Sequence, residues 1–337
     1  MVRAQPEPVC PACRSVLEQG ESALTCAGCR RRFPIVAGIP DLRLNSDPDD
    51  VGRAKALAAR FDDFDFPGLM REGGGLLAQG SISQNPVLRE RFIATIVVQA
   101  QTAAAYLDAV ERERGVPLGP ADRLLEIGCG TGAFAAGAAA RGCRVVAVDI
   151  SMRVLILAKK RLAEAGRTDV QLACCDGERP PFLPSSFEIV AASDVIEHTP
   201  QPDAFVSACA DLLVPLGLLF LATPNRFSLS LEPHVRLWGV GFLPRRLAHW
   251  YVRTARKVSY RGVQPLSAHQ LRRLLVDHQL RPTIVCPEIP VSSQRLYRGI
   301  ELRLVRAYNR GRTFPLMRPL LLAVGPFFHV FGRKGRA

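Results

Sequence analysis

Short apolar runs alternate with longer segments of helical periodicity through the middle of this chain. The runs that read as buried strands are "RLLEIG", "RVVAVDIS", "VQLACCD", "FEIVAASDVIEH" and "LLFLATPN". The segments between them, such as "AFAAGAAARG" and "MRVLILAKKRLAEAG", have the length and composition of helices. Because strands that are apolar along their whole length are buried on both faces, this alternation predicts a parallel sheet covered by helices on both sides. The predicted fold class is therefore α/β.

The flanking segments carry weaker patterns of the same kinds. An unbroken helical pattern runs from Val87 to Arg114, and a stretch rich in Gly and Pro over residues 64–86 predicts a loop. "DAFVSACADLLVPLG" predicts one helix, and Ser267 is the predicted N-cap of "SAHQLRRLLVDHQL". "RPTIVCPEI" and "FFHVFGRK" predict a sixth and a seventh strand, with an arginine-rich helix, "RLYRGIELRLVRAYNR", between them.

These patterns predict four parts in the chain. Residues 1–45 form a compact cysteine-bearing unit, and residues 46–86 form a linker and a covering loop. Residues 87–290 form the main α/β domain, in which residues 226–265 read as an insertion. Residues 291–337 hold a basic helix and the final strand.

Composition and charge narrow the setting of the protein. The start, "MVRAQPEPVCPAC", lacks the apolar core of a secretory signal, and no run of eighteen apolar residues predicts a membrane span. Ten cysteines in 337 residues are too few for a disulfide scaffold, so a cytoplasmic location is expected. The net charge of +13 is concentrated in residues 226–337, which hold 21 basic and 4 acidic side chains. This third predicts an anionic partner, namely a nucleic acid such as RNA, the lipid head groups of a membrane surface or a phosphorylated substrate, or else a solvated arginine-rich surface.

The stretch "LLEIGCGTG" carries three glycines, Gly128, Gly130 and Gly132, directly after the first predicted strand. Asp149 ends the next strand, where a carboxylate suits ribose hydroxyls. A nicotinamide dinucleotide and S-adenosylmethionine both fit these features, whereas a nucleoside triphosphate does not, because G-K-[ST] is missing. Glu126 favours S-adenosylmethionine, since a carboxylate there would repel a pyrophosphate but attract an ammonium and a sulfonium group.

Four segments together, "LLEIGCGTG", "VVAVDIS", "CCDGERPPFLPSSFEIVAASDVIEH" and "LLFLATPN", resemble the class I S-adenosylmethionine-dependent methyltransferases in order and spacing. The resemblance covers roughly residues 87–290 and implies a Rossmann-like, seven-stranded sheet. It implies that the glycines approach the methionine part of the cofactor and that Asp149 binds the ribose. Met152 would line the adenine, and Asp176 would contact its amino group. The residues expected to contact the cofactor are Glu126, Gly128, Gly130, Gly132, Asp149, Met152, Asp176, Gly177 and Ser193.

Two C-x2-C pairs near the start have the spacing of a zinc ribbon, with Cys10 and Cys13 in one pair and Cys26 and Cys29 in the other. Four thiolates complete the tetrahedral shell of Zn²⁺ and leave no position for a catalytic water, so a structural zinc ion is expected. A segment of this size with little apolar core needs such a cross-link.

The segment "FPIVAGIPDLR", which follows the second pair, adds a resemblance. It is similar to the zinc-ribbon family whose free-standing members activate tRNA and release-factor methyltransferases. The resemblance implies a ribbon fused in cis to the enzyme, where it either contacts the substrate or only stabilises the fold. A zinc ribbon also precedes the catalytic domain in some ribosomal RNA guanine methyltransferases, so an RNA substrate stays open.

The methyl acceptor is expected at the ends of the fourth and fifth strands, "SDVIEH" and "TPN". These ends lack the Pro-Pro-aromatic signature of adenine-N6 enzymes and the nucleophilic cysteine of cytosine-C5 enzymes. What remains is O-methylation, amine N-methylation or transfer to another base position.

"SDVIEH" also resembles the ubiquinone-biosynthesis O-methyltransferases, which read S-x-E-x-x-E-H at this place. That resemblance implies an Mg²⁺ ion on Asp194, Glu197 and His198, although Asp194 stands where that family has Glu. The alternatives are His198 as a general base, or a capping and packing role for Glu197 and His198.

Two later segments offer further candidates. "EPHVRLWGVGFLP" lies in the insertion after the fifth strand, a common place for a lid over the acceptor, and His234 is its candidate catalytic residue beside Trp238. Packing is the alternative role for both side chains. "FPLMRPLLLAVGPFFHVF" has membrane docking as one interpretation. Arg318, Pro319 and Pro326 interrupt any long helix, which favours the final strand and its approach.

The sequence therefore predicts a cytoplasmic S-adenosylmethionine-dependent methyltransferase with a structural zinc ion. Its expected acceptor is a small molecule or a lipid- or sugar-linked metabolite, with oxygen as the methylated atom. One alternative is an RNA base methyltransferase that uses the ribbon and the basic C-terminal third. The other is a regulatory pseudo-enzyme that binds the cofactor, against which the intact cofactor motifs and the acid–histidine pair argue.

Overall fold

A computed structural model describes the chain over residues 5–73, 86–97, 99–290, 294 and 299–336. The chain divides into two compact units. Unit 1 comprises Met1–Ala191 and Asp211–Gly217, and unit 2 comprises Ala192–Ala210 and Leu218–Ala337.

Unit 1 begins with a small antiparallel sheet that carries the four clustered cysteines. Its strands, in spatial order, are β1 Leu17–Gln19, β2 Ala23–Cys26, β3 Arg32–Val36 and β4 Ile39–Pro40. Each cysteine pair is followed by an arginine with positive φ, 65° at Arg14 and 60° at Arg30. The Arg14 and Arg30 amides donate to the carbonyls of Cys10 and Cys26, respectively. The two pairs therefore form matching knuckles, as the spacing predicts.

Four helices follow the ribbon within residues 46–73, 86–97 and 99–114, the described part of this region. They are α1 Pro48–Ala58, α2 Phe66–Glu72, α3 Pro86–Val97 and α4 Gln99–Arg114. The prediction of a loop over 64–86 is wrong for α2, which is started by Asp65, whose side chain accepts from the Gly68 amide, and by a proline in the first turn. Residues 74–85 of that predicted loop lie outside the described part of the chain. The helix predicted over 87–114 is present as α3 and α4.

The α/β part of unit 1 alternates as predicted. Its elements are β5 Arg123–Ile127, α5 Ala133–Ala140, β6 Arg144–Asp149, α6 Met152–Glu164, β7 Gln171–Cys174 and β8 Phe187–Ser193. Strand β5 pairs in parallel with β6 and β8, and β6 pairs in parallel with β7. All five residues of β5 are buried, which explains why Leu124, Leu125 and Ile127 are apolar and why Arg123 is paired with Glu188.

The later elements complete the sheet. They are α7 Pro202–Leu212, β9 Leu213–Pro224, α8 Arg245–Arg256, α9 Ala268–Asp277, β10 Leu280–Val285, α10 Gly299–Gly311, α11 Arg318–Val324 and β11 Phe327–Lys334. Strand β11 runs antiparallel to both β9 and β10. Over the described residues the large sheet has seven strands in the order β10-β11-β9-β8-β5-β6-β7. The Rossmann-like, seven-stranded prediction is confirmed, with β11 as its antiparallel member.

One boundary in these later elements differs from the predictions. The helix predicted over "DAFVSACADLLVPLG" ends at Leu212 and gives way to β9, because Pro215 has no amide hydrogen for a helix and disfavours helical backbone at Val214. The approach to the final strand holds the short helix α11, with Pro319 in its first turn, and this helix ends before Pro326, so no long helix forms there. Ser267 caps α9 as predicted, in a capping box with Gln270.

The predicted insertion 226–265 has a small core of its own within unit 2. Val235, Val240, Ala248, Val252 and Tyr260 are buried together there. Helix α8 supplies Ala248 and Val252 to this core and exposes arginines on its other side. The insertion is therefore a packed element of unit 2.

One helical stretch of the described chain, Ile93–Arg114, is long and apolar enough by composition to cross a membrane. The core helix of a soluble protein meets the same criterion, and Leu107 and Val110 of this stretch are fully buried. The stretch has scattered polar residues, so a search for uninterrupted apolar runs does not detect it.

Candidate functional site

The glycine loop after β5 combines left-handed backbone with open space. Gly128, Gly130 and Gly132 have φ values of 70°, 52° and 75°. Gly132 is the N-cap of α5, and a Cβ atom there would lie 3.2 Å from the Cβ of Ala158, so tight packing and the positive φ together favour glycine without any ligand. A Cβ at Gly130 would meet no atom within 4 Å. The space in front of Gly130 is therefore free for a ligand to approach the backbone.

Asp149, at the end of β6, is held in place by hydrogen bonds from the glycine loop and from the start of α6. Its Oδ2 accepts from the Gly130 amide at 3.0 Å, and its Oδ1 accepts from the Ser151 amide at 2.9 Å. A carboxylate has about four lone-pair positions, so two hydrogen bonds leave room for two hydroxyl donors. Burial raises the pKa of this carboxyl above its ordinary value, against the effect of the two amides. The residue is oriented and still able to accept from a ribose.

Glu126 is a buried carboxylate inside β5 that lacks a full set of partners. Its side chain is about 5% exposed, and its Oε2 has no hydrogen-bond partner among the described residues. Burial, with the neighbouring charge of Asp149, raises the pKa of Glu126 to about 8. An unpartnered buried oxygen is costly unless a ligand completes it. A cationic group fits this position, as the sequence interpretation requires.

The other residues predicted to contact the cofactor lie at the ends of β6, β7 and β8 or a few residues after them. Met152 is fully buried in the first turn of α6, and its amide donates to Asp50. Asp176 is exposed just after β7 and lines a cavity of about 440 Å³ together with Ile150 and Ser151. Gly177 beside it is half-buried. Ser193, which is half-buried, belongs to unit 2.

The four cysteines of the ribbon converge. The Cys10 and Cys29 sulfur atoms are 3.7 Å apart, those of Cys13 and Cys26 are 3.4 Å apart, and all four lie within 4.8 Å of one another. Thiolates on a tetrahedral Zn²⁺ with bonds of about 2.3 Å are separated by roughly 3.8 Å. The cluster therefore fits a zinc ion with a closed shell.

In unit 2 the acid–histidine motif meets the insertion. Glu197 and His198 lie on a short 3₁₀ turn after β8, and His234 comes from the insertion. The Nε2 atoms of His198 and His234 are 3.0 Å apart. Glu197 is fully buried, and its Oε2 accepts from the Thr223 hydroxyl at 3.0 Å, while its Oε1 has no partner among the described residues.

Charge and burial set the ionisation of this cluster. Burial raises the pKa of Glu197 to about 7, and Asp194 adds to the effect. Burial and the neighbouring His234 lower the pKa of His198. Burial acts to lower the pKa of His234 as well, but the hydrogen bond and charge of Glu232 reverse this and raise it. The cluster thus holds groups that exchange protons near neutral pH.

The charge of Asp194 acts on Glu197 and His234, but its donor atoms are not among those that converge in this cluster. Its backbone has φ 56°, a conformation that aspartate tolerates, and its amide donates to the Ala222 carbonyl at 2.8 Å. The residue as a whole is exposed, whereas burial around its carboxyl raises the pKa of that group against the effect of His234. Among the described residues, the donor atoms that converge within 4.8 Å belong to Glu197, His198 and His234. The structure thus brings His234 to the motif in the place that the sequence assigned to Asp194.

A network at the start of α6 was missed by sequence reasoning. Arg43 forms a bidentate pair with Asp41 and also donates to Asp50 and to the Ile150 carbonyl. Asp50 accepts from the Met152 amide at 2.7 Å and from the Ser151 hydroxyl at 3.0 Å. Asp50 therefore caps α6 from a position 102 residues earlier. The acid-rich "SDPDD" was the available signal, but it reads as an ordinary helix start.

The ribbon lies against the edge of the large sheet within unit 1. The Val9 amide donates to the Pro181 carbonyl at 2.7 Å, and the Leu42 amide donates to the Cys174 carbonyl of β7 at 2.7 Å. Arg14 donates to the carbonyls of Pro180 and Phe182. The Leu42 bond pairs with the end of the edge strand β7, and the other bonds hold the segment 180–182 that follows it. The ribbon is therefore part of the structure that presents Asp149 and Asp176.

Comparison with known proteins adds two family matches. Residues 125–221 match a methyltransferase domain, and residues 9–38 match the Trm112p-like protein family. A ubiquinone biosynthesis O-methyltransferase of Dechloromonas aromatica is 36% identical over 104 residues, which are 31% of this chain and 45% of that protein. The corresponding protein of Parvibaculum lavamentivorans is 29% identical over 213 residues, 62% of this chain and 75% of that protein.

The chain thus spans about half the length of the first of these curated relatives. Two solved structures are similar at lower identity. Phosphoethanolamine N-methyltransferase 2 of Haemonchus contortus, bound to S-adenosyl-L-methionine, gives a TM-score of 0.47 at 18% identity over 68% of this chain and 52% of its own. The complex of the Haloferax volcanii Trm112 methyltransferase activator with a methyltransferase gives 0.47 at 17% identity over 71% of this chain and 92% of its own.

The glycine loop with its acidic partners and the paired cysteine knuckles fall within these two matched ranges. This chain therefore carries a methyltransferase domain and, ahead of it in the same polypeptide, a Trm112p-like zinc-ribbon domain.

Proposed function

We propose that this chain is an S-adenosylmethionine-dependent methyltransferase that transfers the methyl group to an oxygen of a small-molecule acceptor. The observation that carries the proposal is Glu126, a buried carboxylate with an unpartnered oxygen next to a glycine loop with open space. A pyrophosphate would be repelled there, and a cation would be attracted. The oxygen acceptor is supported by the named activity of the relatives from Dechloromonas and Parvibaculum.

In this proposal unit 1 binds the cofactor. S-adenosylmethionine supplies an electrophilic methyl group. Glu126 attracts its positive charge, and the Gly130 backbone leaves room for the methionine part. Asp149 accepts from the ribose hydroxyls, and Asp176 accepts from the adenine amino group. Met152, Gly177 and Ser193 complete the proposed contacts.

Unit 2 handles the acceptor in this proposal. An acceptor hydroxyl must lose its proton as the methyl group arrives, and Glu197, His198 and His234 form the group of side chains able to receive it. The insertion 226–265 acts as the lid over the acceptor and contributes His234. Asp194, which is exposed, would contact the acceptor directly instead of the cluster.

The remaining parts support this activity. The ribbon over residues 1–45 holds one structural zinc ion and fixes the edge of the sheet. We place the protein in the cytoplasm, with unit 2 against an anionic membrane surface that presents apolar acceptors. Exposed Trp250, which lies in α8 among its arginines, and exposed Trp238 of the same insertion, 66% and 58% accessible, support that location.

The experiment is methyl transfer from radiolabelled S-adenosylmethionine, offered separately with total RNA and with an organic extract of small molecules. Label is expected in a small organic-soluble product. Asp149→Ala should weaken cofactor binding by about 100-fold, because two hydrogen bonds to a charged group, together about 3 kcal/mol, are lost. Asp169→Ala, a change of the same type at an exposed position, should bind the cofactor normally.

Label in RNA alone would contradict the small-molecule acceptor and favour RNA methylation through the basic third. Cofactor binding without label in either pool would favour the regulatory pseudo-enzyme. Tight binding of a nicotinamide dinucleotide, with no heat of binding for S-adenosylmethionine, would overturn the assignment of the glycine loop.

A further inference from the structure

The two histidines of unit 2 face each other in a way that requires a positive charge between them. The His198 Nδ1 lies 3.3 Å from the Gly262 carbonyl oxygen, and the His234 Nδ1 lies 2.6 Å from Glu232 Oε1. Carbonyl and carboxylate oxygens only accept, so these partners assign the hydrogen of each imidazole to Nδ1. Both Nε2 atoms, 3.0 Å apart, are then without hydrogen. Two lone pairs at that distance repel unless a proton or a metal ion lies between them.

A third donor points to a metal ion. Glu197 is fully buried, and Thr223 supplies only one of its oxygens with a hydrogen bond. Its Oε1 has no partner among the described residues. One ligand atom from each of Glu197, His198 and His234 lies within 4.8 Å of the other two. A shared proton would satisfy the imidazoles and leave this carboxylate oxygen unsatisfied, whereas a metal ion satisfies all three groups.

The structure assigns a binding site for one divalent transition-metal ion to Glu197, His198 and His234. Magnesium prefers oxygen ligands, and two imidazole nitrogens with one carboxylate suit Zn²⁺, Fe²⁺ or Mn²⁺. The donor set therefore differs from the Mg²⁺ site on Asp194, Glu197 and His198 that the sequence resemblance implies. Asp194 is not among the described residues that converge there.

Glu232 has the features of an outer residue of such a site. It is about 8% exposed, and its second oxygen accepts from the His234 and Val235 amides at 2.9 Å each. Its position is therefore fixed while its first oxygen holds the His234 ring. Carboxylates that bind the far nitrogen of a histidine ligand orient the ring and raise its basicity. We class Glu232 as a positioning residue.

The site differs from the ribbon in being open. Three protein donors leave coordination positions for water or for an acceptor oxygen, and the His234 side chain is 25% accessible. Metal binding itself does not depend on methyl transfer. A role for the ion in holding an acceptor oxygen rests on the proposed function. With the ion bound, Glu197, His198 and His234 hold the metal instead of taking the proton, and the ion makes the acceptor hydroxyl acidic enough to lose its proton to water.

The test counts metal equivalents in the full-length protein by mass spectrometry after dialysis against Zn²⁺, Mn²⁺ or Mg²⁺ in turn. Two equivalents are expected with Zn²⁺, and one ribbon zinc plus one Mn²⁺ with manganese. With Mg²⁺ only the ribbon zinc should remain. His234→Gln and Glu197→Gln should each lose the second equivalent and keep the zinc. Glu232→Gln should weaken the second ion by 10- to 100-fold.

The matched control is His278→Gln, which replaces another histidine of unit 2, whose Nε2 lies 3.1 Å from the exposed Asp203. It should retain two equivalents, and circular dichroism should show that every variant is folded. A single equivalent in the wild-type protein under all three ions overturns the proposal, as does a second equivalent that survives His234→Gln. A second equivalent without methyl transfer would contradict the proposed function alone.

Discussion

Unit 1 and unit 2 treat their buried carboxylates differently. In unit 1 the buried acids Asp41, Asp50 and Asp122 each form ion pairs with an arginine, at 2.6 to 3.0 Å. Glu126 is the buried acid there with an unpartnered oxygen among the described residues. In unit 2 Glu197 and Glu232 bond to a threonine and a histidine. An arginine next to a buried acid indicates a structural role, and its absence marks the acids that face ligands.

The two units also differ in how their arginine side chains are used. Residues 226–337 hold 21 basic and 4 acidic side chains, so most of their arginines have no acid of that segment available to pair with. Exposed apolar side chains such as Trp238, Phe242 and Trp250 lie in the same segment. Arginine side chains therefore neutralise buried acids in unit 1, whereas the arginines of α8 in unit 2 are exposed.

The largest effect is expected from breaking the arginine pairing of unit 1 at Asp50. Asp50→Ala leaves Arg43 with one acid and removes the cap of α6, so we expect a loss of about 3 kcal/mol in the free energy of unfolding. Cofactor affinity should fall as well, because α6 starts beside Asp149. Chemical denaturation followed by circular dichroism measures the first effect.

The control for Asp50 is Asp63→Ala. Asp63 pairs with Arg60 at the surface, where the two side chains are 55% and 48% accessible, so a change within about 0.5 kcal/mol is expected. Equal effects of the two substitutions would remove the structural distinction between buried and exposed pairs in this unit.

An intermediate effect is expected at Glu126, where stability and binding should change in opposite directions. Glu126→Gln should weaken S-adenosylmethionine by about 30-fold, since a charged contact of about 2 kcal/mol is lost. The pKa of about 8 means that the folded state keeps a proton that the unfolded state releases above about 4.5. Wild-type stability from this group therefore falls as pH rises between these values, and Glu126→Gln removes that loss. Chemical denaturation of both proteins between about pH 5 and pH 9 should therefore show that the free energy of unfolding of the variant rises relative to that of wild type as the pH increases.

Glu188→Gln is the matched control for Glu126→Gln, and its effect on stability is expected to have the opposite sign. Although burial acts to raise it, the Arg123 guanidinium and amide lower the pKa of Glu188 below its ordinary value. Its stabilisation is present above the unfolded pKa and is lost as pH falls through the folded pKa. Glu188→Gln should therefore destabilise the protein at neutral pH, with a smaller deficit in acid. Parallel pH profiles for the two variants would contradict the division into structural and ligand-facing acids.

The smallest effect concerns the surface of unit 2. Trp250→Ser should reduce co-sedimentation with vesicles of phosphatidylcholine and phosphatidylserine by a few-fold, and added salt should reduce it further. Leu183→Ser, at an exposed apolar position of unit 1 with 52% accessibility, should leave co-sedimentation unchanged. Equal losses of co-sedimentation in both variants would contradict the proposal that this segment of unit 2 binds an anionic membrane surface. Wild-type binding to vesicles of phosphatidylcholine alone would contradict it as well.

The sequence by itself determined the features that depend on neighbouring residues. The spacing of the cysteines requires two knuckles, and both knuckles form with the same backbone conformation. The alternation of apolar runs and helical segments predicts the parallel strands β5 to β8, and "LLEIGCGTG" predicts the glycine loop that follows β5. Each of these signals lies within one strand, one turn or one pair of adjacent elements, where local geometry fixes the outcome.

Only the tertiary structure decided which distant side chains meet. His234 lies 36 residues after His198, and no spacing rule links an insertion to the end of a strand, so their contact depends on how the insertion packs around Val240 and Val252. Asp50 caps a helix 102 residues later for the same reason. Contacts of this kind arise because burying apolar surface fixes the positions of whole segments, and the polar side chains carried by those segments are then held at distances that a linear pattern does not encode.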